Sequence, residues 1–105
     1  MVYATLRNPI LPLKGGFVTD TISFSEQQGI ATLCLDNPSR RNALGASELD
    51  AIEHALGSLS AETRVLVVTS SDDRIFCAGA DLSQILDGTL NGDRFQSVTN
   101  QIAAL

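Results

Sequence analysis

The sequence contains no tryptophan, one tyrosine, one histidine and only four phenylalanines in 105 residues. Any core must therefore be built from leucine, isoleucine, valine and alanine, and the 44% hydrophobic content is enough for one modest domain but not for two. Basic residues are scarce as well, seven against twelve acidic ones, and they form no cluster beyond Arg40-Arg41. The resulting net charge of −5 excludes a nucleic-acid surface, which needs a concentrated positive footprint. Apolar runs of membrane-spanning length are absent, and residues 1–18 hold no continuous apolar stretch of signal-peptide type. The two cysteines, Cys34 and Cys77, stand apart in apolar runs with neither CxxC spacing nor a histidine-rich partner segment. They read as reduced core thiols, not as a disulfide or a metal site. The expectation is a soluble, anionic protein of the cytoplasm that holds no metal.

Residues 1–19, with Pro9, Pro12 and Gly15-Gly16 and no sustained periodicity, read as an extended, partly disordered leader. The domain then occupies residues 20–105. It opens with the alternating segment 21–25, a turn at Gln27-Gln28-Gly29 and a second apolar stretch at 30–35, which together predict a β-hairpin. Pro38 stops it, because proline has no N–H for a ladder and biases the preceding residue away from helical geometry. From Ser47 the period changes: Leu49, Ile52, Leu56 and Leu59 recur at helical spacing, with Ser47 and Asp50 as a capping pair. Residues 65–68 are short, apolar and uninterrupted, which predicts a strand buried on both faces of an α/β sheet. A second helix is expected near Leu82 and a third through Phe95, Val98, Ile102 and Leu105.

Between the apolar strand and the second helix lies Phe76-Cys77-Ala78-Gly79-Ala80-Asp81-Leu82. Small residues leave the backbone of such a turn open to close approach by a ligand, and backbone N–H groups at a helix start favour negative charge. Close packing alone also explains a small-residue turn, so the physics suggests a site without specifying one.

This phrase is similar to the F-x-A-G-A-D-[LI] signature of crotonases, the enoyl-CoA hydratase/isomerase family. The upstream segment Asp36-Asn37-Pro38-Ser39-Arg40-Arg41-Asn42-Ala43-Leu44 resembles their N-x-P-x-x-x-N-A-L segment, and the spacing between the two also matches, so the resemblance covers residues 21–105. It implies the N-terminal portion of the crotonase-type α/β spiral fold: hairpin, helix, buried strand, oxyanion turn, helices. It further implies that the Ala80 N–H is one of two oxyanion-hole donors to a thioester carbonyl and that the Ala78 carbonyl holds the adenine of coenzyme A. Arg40, Arg41 and Ala43 would lie along the phosphates and pantetheine, with Gly79, Asp81 and Leu82 completing the turn. The implied substrate is an acyl-CoA thioester, most directly a 2-enoyl-CoA hydrated in fatty-acid metabolism. No separate cofactor is implied, and the assembly would be a trimer or a dimer of trimers.

Other residues take structural roles. Asp81, with Gln84 three residues on, is expected to cap the second helix instead of acting as a base. His54 falls on a polar helix face, Asn42 is expected to hold its turn through backbone bonds, and Cys77 has no positive neighbour to activate it. Two positions depart from the family: Ser70, where many members have glycine, and Ser83, where some hydratases have lysine. Nothing matches the family's Gly-rich segment, second oxyanion donor or catalytic carboxylates, so the chain is expected to be truncated and not a competent hydratase alone. Isomerase, hydrolase, decarboxylase and dehalogenase chemistry stay open. So do a non-catalytic, self-associating fragment and a frame-disrupted or processed gene product.

Overall fold

The computed structural model describes residues 15–105. Four strands form one sheet in sequential order: β1 (Gly15–Val18), β2 (Ile22–Gln27), β3 (Ile30–Leu35) and β4 (Val65–Ser70). The expected hairpin is β2–β3, antiparallel, closed by Gln28 and Gly29 at φ of 54° and 81°. Two successive positive φ angles match the right-handed twist of the flanking strands, which is why a glycine sits at the second position. β1 pairs antiparallel with β2, so the end of the segment read as a leader is a strand; residues 1–14 lie outside the described residues.

Alternation along β2 and β3 sorts the side chains by face. Ile22, Phe24, Ala31, Leu33 and Leu35 are buried beneath helix α1 (Ala46–Gly57) with Leu49, Ala51, Ile52 and Ala55. Helix α3 (Gly92–Ala103) closes this layer: Val98 is fully buried and Phe95 and Ile102 pack beside it. Arg94 ties the two helices by reaching Asp50 Oδ1 at 2.6 Å and Glu53 Oε1 at 2.5 Å. Leu105, expected to continue the α3 stripe, lies beyond the helix and is exposed.

Two expectations need correction. The first concerns β4, which runs parallel to β3 but borders no other strand among the described residues. Leu66 and Val68 pack against the core, whereas Val65 is 50% exposed and Val67 only half-buried. Burial on both faces requires a layer on each side, and the described residues supply one. The second concerns α1, which begins at Ala46 with Gly45 as N-cap, not with a Ser47–Asp50 pair. Glu48, at the third helical position, accepts from the Gly45 N–H at 2.9 Å, from Ser47 Oγ at 3.0 Å and from Thr21 Oγ1 at 2.7 Å. Ser47 is already inside the helix, so its hydroxyl donates to Glu48, and Asp50 faces Arg94 instead.

Candidate functional site

Two loops meet at the C-terminal ends of β3 and β4. The first, after β3, makes a 3-10 turn at Pro38–Arg40 and then places Arg41 and Asn42 at a φ of 56° each. Side-chain oxygens that bond locally make asparagine the most tolerant non-glycine residue in that left-handed region. Asn42 is 1% exposed and fully engaged: Oδ1 accepts the Asn37 N–H at 2.7 Å, and Nδ2 donates to the Phe76 carbonyl and to Ser70 Oγ, both at 2.8 Å. Its expected structural role is what the structure shows. Ser70 extends the link by donating to the Ile75 carbonyl at 2.7 Å and accepting the Asp72 N–H at 3.0 Å. A glycine at that position could make neither bond.

Across this link, residues 78–81 run alongside 41–44 like two short parallel strands, with a bridge between Leu44 and Ala80. The Ala78 N–H donates to the Arg41 carbonyl at 2.9 Å, the Leu44 N–H to the Gly79 carbonyl at 2.8 Å, and the Asp81 N–H to the Leu44 carbonyl at 2.9 Å. In a parallel ladder one residue bonds to the neighbours on both sides of its partner, so the partner's own polar groups point away. Ala80 is that partner. Among the described residues no acceptor takes its N–H, and the Ala78 carbonyl likewise has no donor. Gly79 holds the bend with a φ of 99°, and a Cβ built there would meet nothing within 4 Å, so glycine is required by conformation and the space above it is open.

Helix α2 (Leu82–Asp87) follows, and its N-terminus is occupied by the chain's own carboxylate. Asp81 is 4% exposed; its Oδ1 accepts from the Ser83 N–H at 3.1 Å, Ser83 Oγ at 2.6 Å and the Gln84 N–H at 3.3 Å, while Oδ2 accepts from Arg40 Nη2 at 2.7 Å. Ser83 contributes most to holding this carboxyl below its ordinary range; burial opposes the shift, and Arg40 and the Gln84 N–H reinforce it. The expected capping role is therefore present, and both oxygens of the buried carboxylate are engaged, Oδ1 by the helix start and Oδ2 by Arg40. The Ser83 and Gln84 N–H groups of the helix start are thereby used, and the Ala80 N–H stays an open donor of the turn. Gln84 does not turn back to its own cap: its Oε1 accepts the Ala46 N–H at 2.8 Å and so closes the start of α1.

The remaining residues singled out from the sequence are distributed as follows. Arg40 is drawn onto Asp81 and also lies 3.2 Å from Ser83 Oγ. Arg41 is exposed and its guanidinium makes no ion pair among the described residues; Ala43 is half-buried, its N–H on the Arg40 carbonyl at 3.0 Å. Leu82 projects from the turn, 71% exposed. Cys77 Sγ lies 3.3 Å from both the Asn42 carbonyl and the Gly79 N–H, a structural position. Cys34 is a second free thiol, and burial pushes its pKa up. His54 is exposed on α1, edge-on to Phe17 at 5.0 Å, and is not part of the turn. Sequence reasoning missed the bonds made by Ser70, Ser83 and Gln84. The one signal that could have found them is a polar side chain at the end of an apolar strand or within two residues of a cap. Among the described residues no group of histidine, cysteine and carboxylate side chains could hold a metal, and no helix is long and apolar enough to cross a membrane.

Comparison with known proteins places this arrangement. The family model "Enoyl-CoA hydratase/isomerase" matches residues 25–103. A probable enoyl-CoA hydratase of Rhodobacter capsulatus is 35% identical over 81 residues, which is 77% of this chain and 30% of that protein. A crystal structure of an enoyl-CoA hydratase/isomerase family member superposes with a TM-score of 0.67 at 26% identity, covering 83% of this chain and 37% of the other. Carnitinyl-CoA hydratase from Mycobacterium avium superposes at 0.61 with 28% identity, over 72% of this chain and 31% of that one. The chain thus spans about 30% of the length of such relatives. With the family model spanning residues 25–103, from within the hairpin through the small-residue turn to α3, the chain belongs to the enoyl-CoA hydratase/isomerase family.

Proposed function

We propose that the paired loops bind acyl-CoA thioesters and that the Ala80 N–H donates to the thioester oxygen as it gains enolate charge, in the hydration of a 2-enoyl-CoA. The observation that carries this reading is the unpaired Ala80 N–H, fixed between two used neighbours, beside a glycine with open space over its Cα. Adding water across the double bond, or removing a proton alpha to the thioester, moves electrons onto the carbonyl oxygen. A preorganised donor there is worth about 3 kcal/mol of barrier. The free Ala78 carbonyl suits the adenine amino group, and exposed Arg41 suits the phosphates, with Arg40, Ala43, Asp81 and Leu82 framing the pocket wall. Coenzyme A enters as part of the substrate, so no further cofactor is invoked.

This reading assigns to the described residues one donor, the Ala80 N–H, and no acid or base. Glu26 binds Thr63, Glu48 binds Gly45, and Glu53 binds Arg94. Proton transfer typically contributes a hundredfold or more, so this chain by itself is proposed to bind thioesters without turning them over. Calorimetric titration with a short acyl-CoA tests the binding: saturable heat is expected, and no heat at millimolar ligand would remove the reading.

A second reading, self-association, is favoured by the edge of β4 that pairs with no strand among the described residues and by the exposed apolar side chains Leu82, Ile85 and Leu86 on α2. Light scattering after size exclusion decides it: a discrete trimer or dimer is the expected result, and a monomer would end it.

A further inference from the structure

Arg40 was expected to lie along ligand phosphates, yet the chain itself engages its side chain. Its backbone is fixed by the 3-10 turn, with the Arg40 N–H on the Asn37 carbonyl at 3.2 Å and the Arg40 carbonyl receiving Ala43. From there the guanidinium crosses to the other loop, reaching Asp81 Oδ2 at 2.7 Å and Ser83 Oγ at 3.2 Å. The side chain is 55% exposed, whereas Asp81 is buried. The backbone bonds from Ala78, Leu44 and Asp81 hold the two loops along their length, the Ser71 hydroxyl adds a bond to Asp36 at 2.7 Å, and the Arg40–Asp81 contact is the one ion pair across them among the described residues. Breaking it would leave Asp81 Oδ2 buried without a donor, a cost the turn relieves by shifting Asp81 toward water. Because Ala80 immediately precedes Asp81, such a shift rotates the Ala80 N–H.

We infer that Arg40 is a positioning residue of the turn, a latch that aims the Ala80 N–H by holding Asp81 and Ser83, and not a ligand for substrate phosphates. This inference rests on the acyl-CoA reading for its consequence, but its structural half stands without any ligand. Ser83 is part of the same latch, since it bridges both partners by donating to Asp81 and accepting from Arg40. The division of labour leaves Arg41, adjacent and free, as the residue for phosphate.

Two measurements on the intact chain test it. In the ligand-free protein, Arg40→Gln is expected to speed amide hydrogen exchange at Ala78 and Asp81 about tenfold, the size of one lost charge-assisted hydrogen bond, with β2, β3 and α1 amides unchanged. Arg40→Lys should restore part of that protection. Unchanged exchange at Ala78 and Asp81 overturns the latch; faster exchange everywhere marks a folding defect, and Arg40→Lys then decides by local rescue or its failure. In the second, acyl-CoA is compared with the same acyl group on pantetheine, which lacks the nucleotide phosphates. The latch predicts that Arg40→Gln weakens both about tenfold, whereas Arg41→Gln weakens only acyl-CoA. A loss confined to acyl-CoA in Arg40→Gln makes Arg40 a phosphate ligand and overturns the inference. If the unaltered chain binds neither thioester, the acyl-CoA reading fails, and the exchange experiment alone decides the latch.

Discussion

The hairpin–helix layer and the paired loops are built by different forces. Beneath α1, Ile22, Leu33, Leu49, Ile52 and Val98 are almost completely buried, each touching several others, so the layer is stabilised by area removed from water. The loops carry little apolar burial and are fixed by individually identifiable bonds from Asn42, Ser70, Asp81 and Arg40. Apolar burial is non-directional and tolerates modest repacking. Directed bonds specify one geometry and lose it when a single partner goes. The proposed function, which needs one N–H aimed, draws on the second kind.

That contrast can be broken at its two ends. Leu33→Ala should cost about 3 kcal/mol in urea unfolding, as a cavity in a dense layer, and unfold sheet and loops together. Asn42→Ala should cost slightly less, about 2 kcal/mol, because the Phe76 carbonyl, Ser70 and the Asn37 N–H lose a partner at once. Its distinguishing mark is local: amide exchange should rise in residues 37–44 and 70–81 before it rises in β2 and β3. Gly79→Ala should cost about 1 kcal/mol through its φ alone, since the site is uncrowded, while weakening thioester binding more than stability. Smallest is Arg94→Ala, under about 1 kcal/mol and diminished further by salt, because its partners are an exposed and a half-buried carboxylate within reach of solvent.

Acid sharpens the comparison from another side. Burial raises the Glu48 carboxyl, but bonds from Thr21, Gly45 and Ser47 outweigh it and leave the group below its ordinary value. Asp81 is depressed as well, chiefly by Ser83. Groups with depressed folded values contribute stability that is complete above their unfolded values and is lost as pH falls through the folded ones. Stability should therefore be flat near neutrality and decline below the ordinary carboxylate range. Glu48→Gln and Asp81→Asn should each flatten that decline in an acid-unfolding curve.

Much of this was legible in the sequence. Alternation in residues 21–35, the period of Leu49 and Ile52, and the Asp-Asn-Pro and Ala-Gly-Ala-Asp phrases located the hairpin, α1 and the turn. Burial of β4 was misjudged because an apolar run reports what a strand can cover, not whether a second layer lies on it. The α1 cap was misplaced by two residues, since Ser47 offers the same hydroxyl inside a helix as before it. The Arg40–Asp81 contact was not legible because the two residues lie 41 positions apart, beyond any local pattern. The unpaired state of the Ala80 N–H follows from which neighbours Leu44 bonds to, and only the three-dimensional register reveals that.

The central claim is that the Ala80 N–H is held free and aimed outward to meet a thioester oxygen. Its most direct test is the amide proton of Ala80 in a nitrogen-15-labelled chain titrated with a short acyl-CoA. A saturable downfield shift is predicted at Ala80, larger than at Ala78 or Asp81, whose N–H groups are already bonded. An Ala80 resonance that stays in place while acyl-CoA binds would contradict it.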